Sequence, residues 1–381
     1  DELIDPTDII EQIKDKYIGD PELANLPRKF KSAITGHPSQ DIVHEINDVA
    51  FLGIEHPELG VGFDLWVGGG LSTAPRLAER LGVFVSPDKV ADVWYAVCCI
   101  FRDYGFRRMR TKARLKFLLA EWGTEKFRQI LQDEYLGYAL PDGPAAPTPQ
   151  TVGDHVGIHK QKDGKNFIGV TPFVGRVSGQ ILADLADILE KYGSKRLRTT
   201  PHQKLVLLDI ADEHLDNIVA DLEAIGLSAN PSPFKRSTIA CTGIEYCKLA
   251  IVETKATATE TVKTLERKLV DVQIGRPISL HINGCPNSCA RIQTADIGLK
   301  GQLLPDGNGG TSPGFQVHLG GGLATKDRDE AGLGRTVRGL KVTAANLTEY
   351  VERVTRTYAS EKQDGETFAE WAHRADEEKL K

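Results

Sequence analysis

The sequence predicts an α+β protein in which two copies of one α/β unit flank a smaller α+β half-domain with an antiparallel sheet. Two observations predict this. The first is internal repetition. TGHPSQDIVHEINDVAFLG (35–53) matches NGCPNSCARIQTADIGLKG (283–301) at a constant offset of 248, pairing Gly36 with Gly284, Pro38 with Pro286, Asp48 with Asp296 and Gly53 with Gly301. GFDLWVGGGLST (62–73) matches GFQVHLGGGLAT (314–325) at an offset of 252, so a loop insertion of four residues separates the two matched blocks. The second observation is a change of pattern between the copies, from short apolar strands to helices with a 3.6-residue period.

In chain order, the first copy occupies residues 1–138 and ends in the amphipathic pattern SPDKVADVWYAVCCIFRDYG (86–105). Cys98 and Cys99 fall on the apolar face of that helix and read as core. A connector follows at 139–151, ALPDGPAAPTPQT, whose four prolines in nine positions suit neither helix nor sheet interior. Residues 152–232 then read as strand (FIGVTPFV), helix (VSGQILADLADILEKYG), a strand pair around PHQ (KRLRTT and KLVLLDI) and helix (EHLDNIVADLEAIG). The second copy, 233–381, closes with a helical pattern, TAANLTEYVERVTRTYASEK (343–362), followed by a tail.

Composition bounds the function. With 381 residues, 40% hydrophobic and 26% charged, the chain has the balance of a globular protein. No apolar run approaches the ~18 residues of a membrane span, and the acidic opening DELIDPTDII is unlike a secretory signal. A net charge of -6 gives no general case for nucleic acid or anionic membrane. Six cysteines are too sparse for a disulfide scaffold. A reducing, cytoplasmic setting is expected.

Four of those cysteines are clustered: Cys241 and Cys247 in ACTGIEYCKLA, Cys285 and Cys289 in NGCPNSCA. In the first copy His37 stands opposite Cys285 and Asp41 opposite Cys289, so the repeated fold does not itself require thiols. Four thiolates suit zinc or an iron–sulfur cluster. Structural zinc generally uses two tight pairs, and a six-residue stride fits that poorly, which favours iron–sulfur. The Asn-Gly-Cys-Pro context predicts a turn ahead of a helix, with backbone N–H groups turned toward sulfur.

ACTGIEYCKLA followed by HINGCPNSCARIQTADIGLKG, together with LPRKFK (26–31), the GGGL loops and the duplication, resembles the sulfite and nitrite reductase family that couples sirohaem to a [4Fe-4S] cluster. Within it the chain looks most like the ferredoxin-dependent sulfite reductases of actinobacterial type. The resemblance implies a ferredoxin-like half-domain at 152–232. It implies that Cys241, Cys247, Cys285 and Cys289 ligate one cluster, that Cys289 also bridges to the sirohaem iron, and that Asn287 packs against the cofactor pair. Family members carry a further N-terminal part holding the first small half-domain, so this chain is expected to be the C-terminal two-thirds of such a protein. The expected reaction is the six-electron reduction of sulfite to sulfide with electrons from ferredoxin, as in sulfur assimilation. Reduction of nitrite to ammonia is the alternative, and a catalytically silent, metal-stabilised scaffold is the rival of another class.

Basic residues then acquire a role. RDYGFRRMRTKARLKF (102–117) holds seven cations against one acid, Asp103. Alone, such a run reads as a solvated helix start, but sirohaem carboxylates need the arginine fork. The resemblance singles out Arg110, Lys112, Arg114 and Lys116, with Arg28 and Arg198 as further cofactor contacts. Lys29 and Lys31 are its catalytic candidates: as alternate residues of a strand they would share a face and hold a substrate oxyanion. His202 reads as an ordinary turn residue, His37 and Asp41 as relics of the duplicated loop. The glycine triplets suit a structural turn and a close approach to a ligand equally well.

Overall fold

The computed structural model describes residues 2–381. The chain divides into two compact units, Asp1–Gly153 and Asp154–Lys381. No helix of the described residues is long and apolar enough to cross a membrane.

The first unit opens with helix α1 (Thr7–Tyr17) and a four-stranded sheet in the order β1 (Ser32–Thr35), β2 (Val49–His56), β3 (Gly60–Val67), β4 (Glu79–Val85). β1 runs parallel to β2 and the remaining pairs are antiparallel. Helix α2 (Val90–Tyr104) buries Val90, Val93, Val97, Ile100 and Phe101. Their three- and four-residue spacing makes one apolar face, which packs with Phe51, Phe63 and Leu65 of the sheet. Each such side chain contributes about 1.5–3 kcal/mol. Cys98 and Cys99 are buried in this helix, and burial pushes both thiols up. Helix α3 (Leu115–Ile130) completes the core. The proline-rich stretch is extended and pinned along β4, where Phe84 N–H donates to Pro141 O (2.8 Å) and Gly143 N–H to Gly82 O (3.2 Å).

The second unit begins with the half-domain, an antiparallel sheet in the order β5 (Gly157–Lys160), β6 (Asn166–Val170), β8 (Leu205–Ile210), β7 (Leu197–Thr199). Helices α4 (Gly179–Lys191) and α5 (Leu215–Ala224) share a separate core with it. Ser178 caps α4 by accepting from Ile181 N–H. The expected strand FIGVTPFV stops at Val170, because Pro172 has no N–H for the ladder and Phe173–Gly175 turns instead. Strand β5 was not foreseen: it shows no apolar alternation, and its residues are largely exposed.

The remainder is the second copy. After the short helix α6 (Pro233–Ser237) come β9 (Thr238–Ala240), helix α7 (Lys255–Lys268), β10 (Leu280–Asn283), β11 (Ile297–Pro305), β12 (Thr311–Leu319), β13 (Lys341–Thr343), α8 (Leu347–Glu361), α9 (Phe368–Arg374) and α10 (Glu377–Leu380). The strand order is β13-β12-β11-β10-β9. The duplication holds at the level of register. Ser32 pairs with Val49 and Leu280 with Ile297; Val49 pairs with Val67 and Ile297 with Leu319.

Candidate functional site

Both thiol loops leave one edge of the second unit's sheet. β9 and β10 are parallel neighbours, with Ile282 opposite Ala240, so Cys241 and Gly284 emerge side by side. Gly284 N–H donates to Cys241 Sγ (3.1 Å), and Cys241 N–H donates to Ile282 O (3.0 Å). The loop then returns, because Ile251 N–H donates to Gly284 O (2.7 Å). Residues 241–251 are thus closed at both ends on the residue that precedes Cys285. Asn283 braces the other loop: its Nδ2 donates to Cys285 O (2.6 Å) and its Oδ1 accepts from Ala290 N–H (2.8 Å). The loop leads into a 3-10 turn, Ile292–Thr294, rather than the expected helix, because the chain must re-enter the sheet at Ile297.

Among the described residues no cysteine is held in a disulfide. Cys285 is buried, Cys241 and Cys247 are half-buried and Cys289 is exposed. Among the described residues no three His, Cys, Asp or Glu side chains converge closely enough to hold a single metal ion. A cubane cluster holds its thiolates at separate corners, further apart than one tetrahedral ion does. Four thiols on two mutually closed loops, with a backbone N–H already on sulfur, are a donor set of the kind an iron–sulfur cluster takes.

The first copy keeps the turn of this loop without its thiols. Gln40 and Ser288, at equivalent positions, both have left-handed φ, 48° and 59°. There Thr35 Oγ1 donates to Asp41 (2.7 Å) and accepts from His37 N–H (3.0 Å), while the Ser39 hydroxyl lies 2.6 Å from His37 Nδ1. Side-chain hydrogen bonds close the loop. The glycine triplets are structural in both copies. Gly68 and Gly320, at φ 81° and 78°, donate to Asp48 O and Asp296 O at 2.8 Å. A Cβ on Gly69 would meet Glu45 O at 2.5 Å, and one on Gly321 would meet Gln293 O at 2.3 Å.

The basic residues separate into two groups. Arg114, 5% exposed, places its fork on the buried Asp48 carboxylate, with Nη2 at 2.8 and 3.0 Å from the two oxygens. Asp48 also accepts from Lys31 N–H (2.9 Å), as Asp296 does from Ser279 N–H (2.8 Å) in the second copy. Burial works to raise the Asp48 carboxyl, and Arg114 opposes that shift. Lys116 is buried too, and its Nζ donates to the carbonyls of Gly70 (3.0 Å), Leu71 (2.8 Å) and Ala74 (2.6 Å). Desolvation pulls this ammonium down to about 8. Arg114 and Lys116, expected as cofactor contacts, both have partners inside the unit, one the Asp48 carboxylate and one the carbonyls of the triplet loop.

Arg110 and Lys112 are exposed on a 3-10 turn, and Arg28 Nη1 donates to Arg110 O (3.1 Å). Lys29 and Lys31 precede β1 instead of lying in a strand, because the ladder to β2 starts at Ser32. Lys29 is exposed, while Lys31 Nζ donates to Ile46 O (2.9 Å). In the second unit Arg198 is exposed on β7, and Asn287 is half-buried in the thiol loop. His202 is more than a turn residue: its Nδ1 lies 3.0 Å from Arg291 Nη2, and burial beside cations holds the imidazole neutral. Sequence reasoning missed Arg291, Lys204 and His281. One signal was available, since Arg291 stands where the first copy has Val43.

The nitrite and sulphite reductase 4Fe-4S domain matches residues 1–140 and 232–381, and the ferredoxin-like half domain of nitrite/sulfite reductases matches 159–225. "Sulfite reductase [ferredoxin] 1" of Mycolicibacterium paratuberculosis is 56% identical over 384 residues, covering 100% of this chain and 68% of the relative. The solved structure of the Mycobacterium tuberculosis NirA protein is 53% identical with a TM-score of 0.95, covering 100% of this chain and 69% of that one. A "Ferredoxin--nitrite reductase" of Synechococcus elongatus is 38% identical over 331 residues, covering 84% of this chain and 63% of the relative. With its repeated sheets, its intervening half-domain and the four clustered thiols of the second copy, the chain belongs to the nitrite and sulphite reductase 4Fe-4S domain family.

Proposed function

We propose that the chain carries the cluster- and sirohaem-binding part of a ferredoxin-dependent sulfite reductase. The observation that carries this reading is the pair of mutually closed thiol loops, present in the second copy and absent from the first. Cys241, Cys247, Cys285 and Cys289 would hold the [4Fe-4S] cluster, and Cys289, the most exposed thiol, is the one suited to reach a second group. When bound, the cluster and sirohaem supply single-electron delivery and an iron that takes the substrate through sulfur.

The chain's own residues bind, neutralise and supply protons. Half-buried Arg28 and exposed Arg110, Lys112 and Arg198 would meet the cofactor's carboxylates, to which a guanidinium gives bidentate contacts. Lys29 and Lys31 would hold the substrate's oxygens, each of which leaves as water after taking up protons. Asn287 stays with the thiol loop as a half-buried polar contact.

Sulfite is preferred to nitrite because the relative at 56% identity bears the sulfite reductase name, whereas the ferredoxin–nitrite reductase of Synechococcus elongatus stands at 38%. Steady-state turnover of both anions with reduced ferredoxin tests this. The expected result is a higher kcat/KM for sulfite; faster turnover of nitrite at saturating donor overturns the choice.

A further inference from the structure

One buried cation in the second unit has no employment in this scheme. Lys204 directly precedes β8 and is 2% exposed. It closes a tight turn in which Thr200 N–H donates to Lys204 O (3.1 Å) and Gln203, at φ 59°, donates its N–H to Thr200 O (3.1 Å). The Gln203 amide clamps the turn to the residue before Cys241: Nε2 donates to Ala240 O (2.8 Å), and Oε1 accepts from Ala240 N–H (3.3 Å). Among the described residues no acceptor lies within hydrogen-bonding distance of Lys204 Nζ, whose residue bonds only through its backbone. Nor is Nζ one of the fully enclosed polar atoms left without a partner, so the tip keeps an opening.

The charges around it are of one sign. Asp154, the acid whose field reaches Lys204, is already held by Arg236 at 2.7 and 2.8 Å. The other charges acting on it are Arg291, Arg236 and Lys255. His202 and His281 sit in the same field, and both imidazoles are kept neutral by burial and by these cations. His202 Nδ1 accepts from Arg291 Nη2 (3.0 Å), which leaves the ring hydrogen on Nε2. Arg291 itself holds a left-handed φ of 48°, whereas its counterpart Val43 has φ -90°. A side chain of that size adopts this backbone only where its surroundings impose it, and such positions concentrate at binding sites. A buried ammonium surrounded by cations is unstable without a counter-charge.

We propose that Lys204, with Arg291 and His202 beside it, seats an oxyanion group, either a carboxylate or an inorganic oxyanion, next to the thiol loops. A carboxylate of the tetrapyrrole is one source, and only that part rests on the proposed function; free sulfate is the other.

The test uses the full chain with sulfate as probe, against chloride at equal ionic strength, and sirohaem retention after gel filtration as a second arm. Sulfate is expected to raise the Tm of the unsubstituted chain. In Lys204→Met the apparent sulfate affinity falls about tenfold or more, as for loss of a charge-assisted hydrogen bond, and the Tm in chloride is equal or higher because the uncompensated charge is gone. Lys204→Arg keeps the sulfate response. A sulfate response that disappears once sirohaem is bound identifies the cofactor carboxylate as the occupant, and one that persists identifies a free oxyanion. If sulfate has no effect, weaker sirohaem retention by Lys204→Met still supports the site. Equal sulfate response and equal retention in both chains overturn it. So does a Lys204→Met chain that fails to fold where Lys204→Arg folds, since the ammonium would then already have its counter-charge within the protein.

Discussion

Arg110 and Arg114 lie four residues apart in one basic run, yet the first is exposed and the second is spent on a buried carboxylate. Removing one partner of a buried pair leaves the other charged and desolvated, which costs about 3–5 kcal/mol. Arg114→Ala is expected to lower stability by that amount in urea unfolding, whereas Arg110→Ala stays within about 0.5 kcal/mol. Equal effects would contradict the separation. His318 gives a second residue-scale prediction. Burial pulls this imidazole down to about 4, with Lys300 adding to the shift. Its folded value lies below its unfolded value, so the unfolded chain binds the extra proton. The stability it supports is fully present above pH ~6.5 and is lost as pH falls from there toward 4, on the order of 3 kcal/mol in all. His318→Leu should flatten that part of the pH–stability profile; an unchanged slope would contradict the assignment. The basic run was legible as cations in sequence, but which of them faced inward was not, because a charge pattern carries no information about distant Asp48 or the Gly70 carbonyl.

At the scale of elements, the glycine triplets and thiol loops show how one backbone serves two copies. Gly321 packs against Gln293 O and Ala295 so closely that a methyl group has no room. Gly321→Ala should destabilise by roughly 1–3 kcal/mol through overpacking. Gly179→Ala is the control: it opens α4, has open space around it, and should be neutral or slightly stabilising. Comparable losses at both positions in thermal unfolding would refute the turn assignment. The position of these turns was readable from the repeat, since GGGL occurs in both copies. Lys29 and Lys31 were misplaced for the opposite reason. LPRKFK has a strand-like composition, but the start of β1 is set by pairing with Val49, which local sequence does not reveal.

For the whole molecule, the repeat offsets of 248 and 252 anticipated the registers of both sheets, because hydrogen-bonded pairing constrains insertions to loops. Difference between the copies located the site better than either copy alone: Cys285 against His37 and Cys289 against Asp41 marked the thiol loop, and Arg291 against Val43 would have marked the cation beside it. What the repeat could not disclose was the contribution of the half-domain. Lys204 and His202 come from a segment without a duplicate in this chain, and only folding brings them to Arg291.

The central claim is that the four clustered thiols hold one [4Fe-4S] cluster. Iron, acid-labile sulfide and zinc should be quantified on chain purified without oxygen, alongside Cys247→Ser, Cys285→Ser and Cys98→Ser. The account predicts iron and sulfide in equal amounts at the stoichiometry of that cluster, lost in the first two variants and kept in Cys98→Ser, whose thiol belongs to the core of α2. Zinc as the bound metal, or iron and sulfide unchanged in Cys285→Ser, would contradict it.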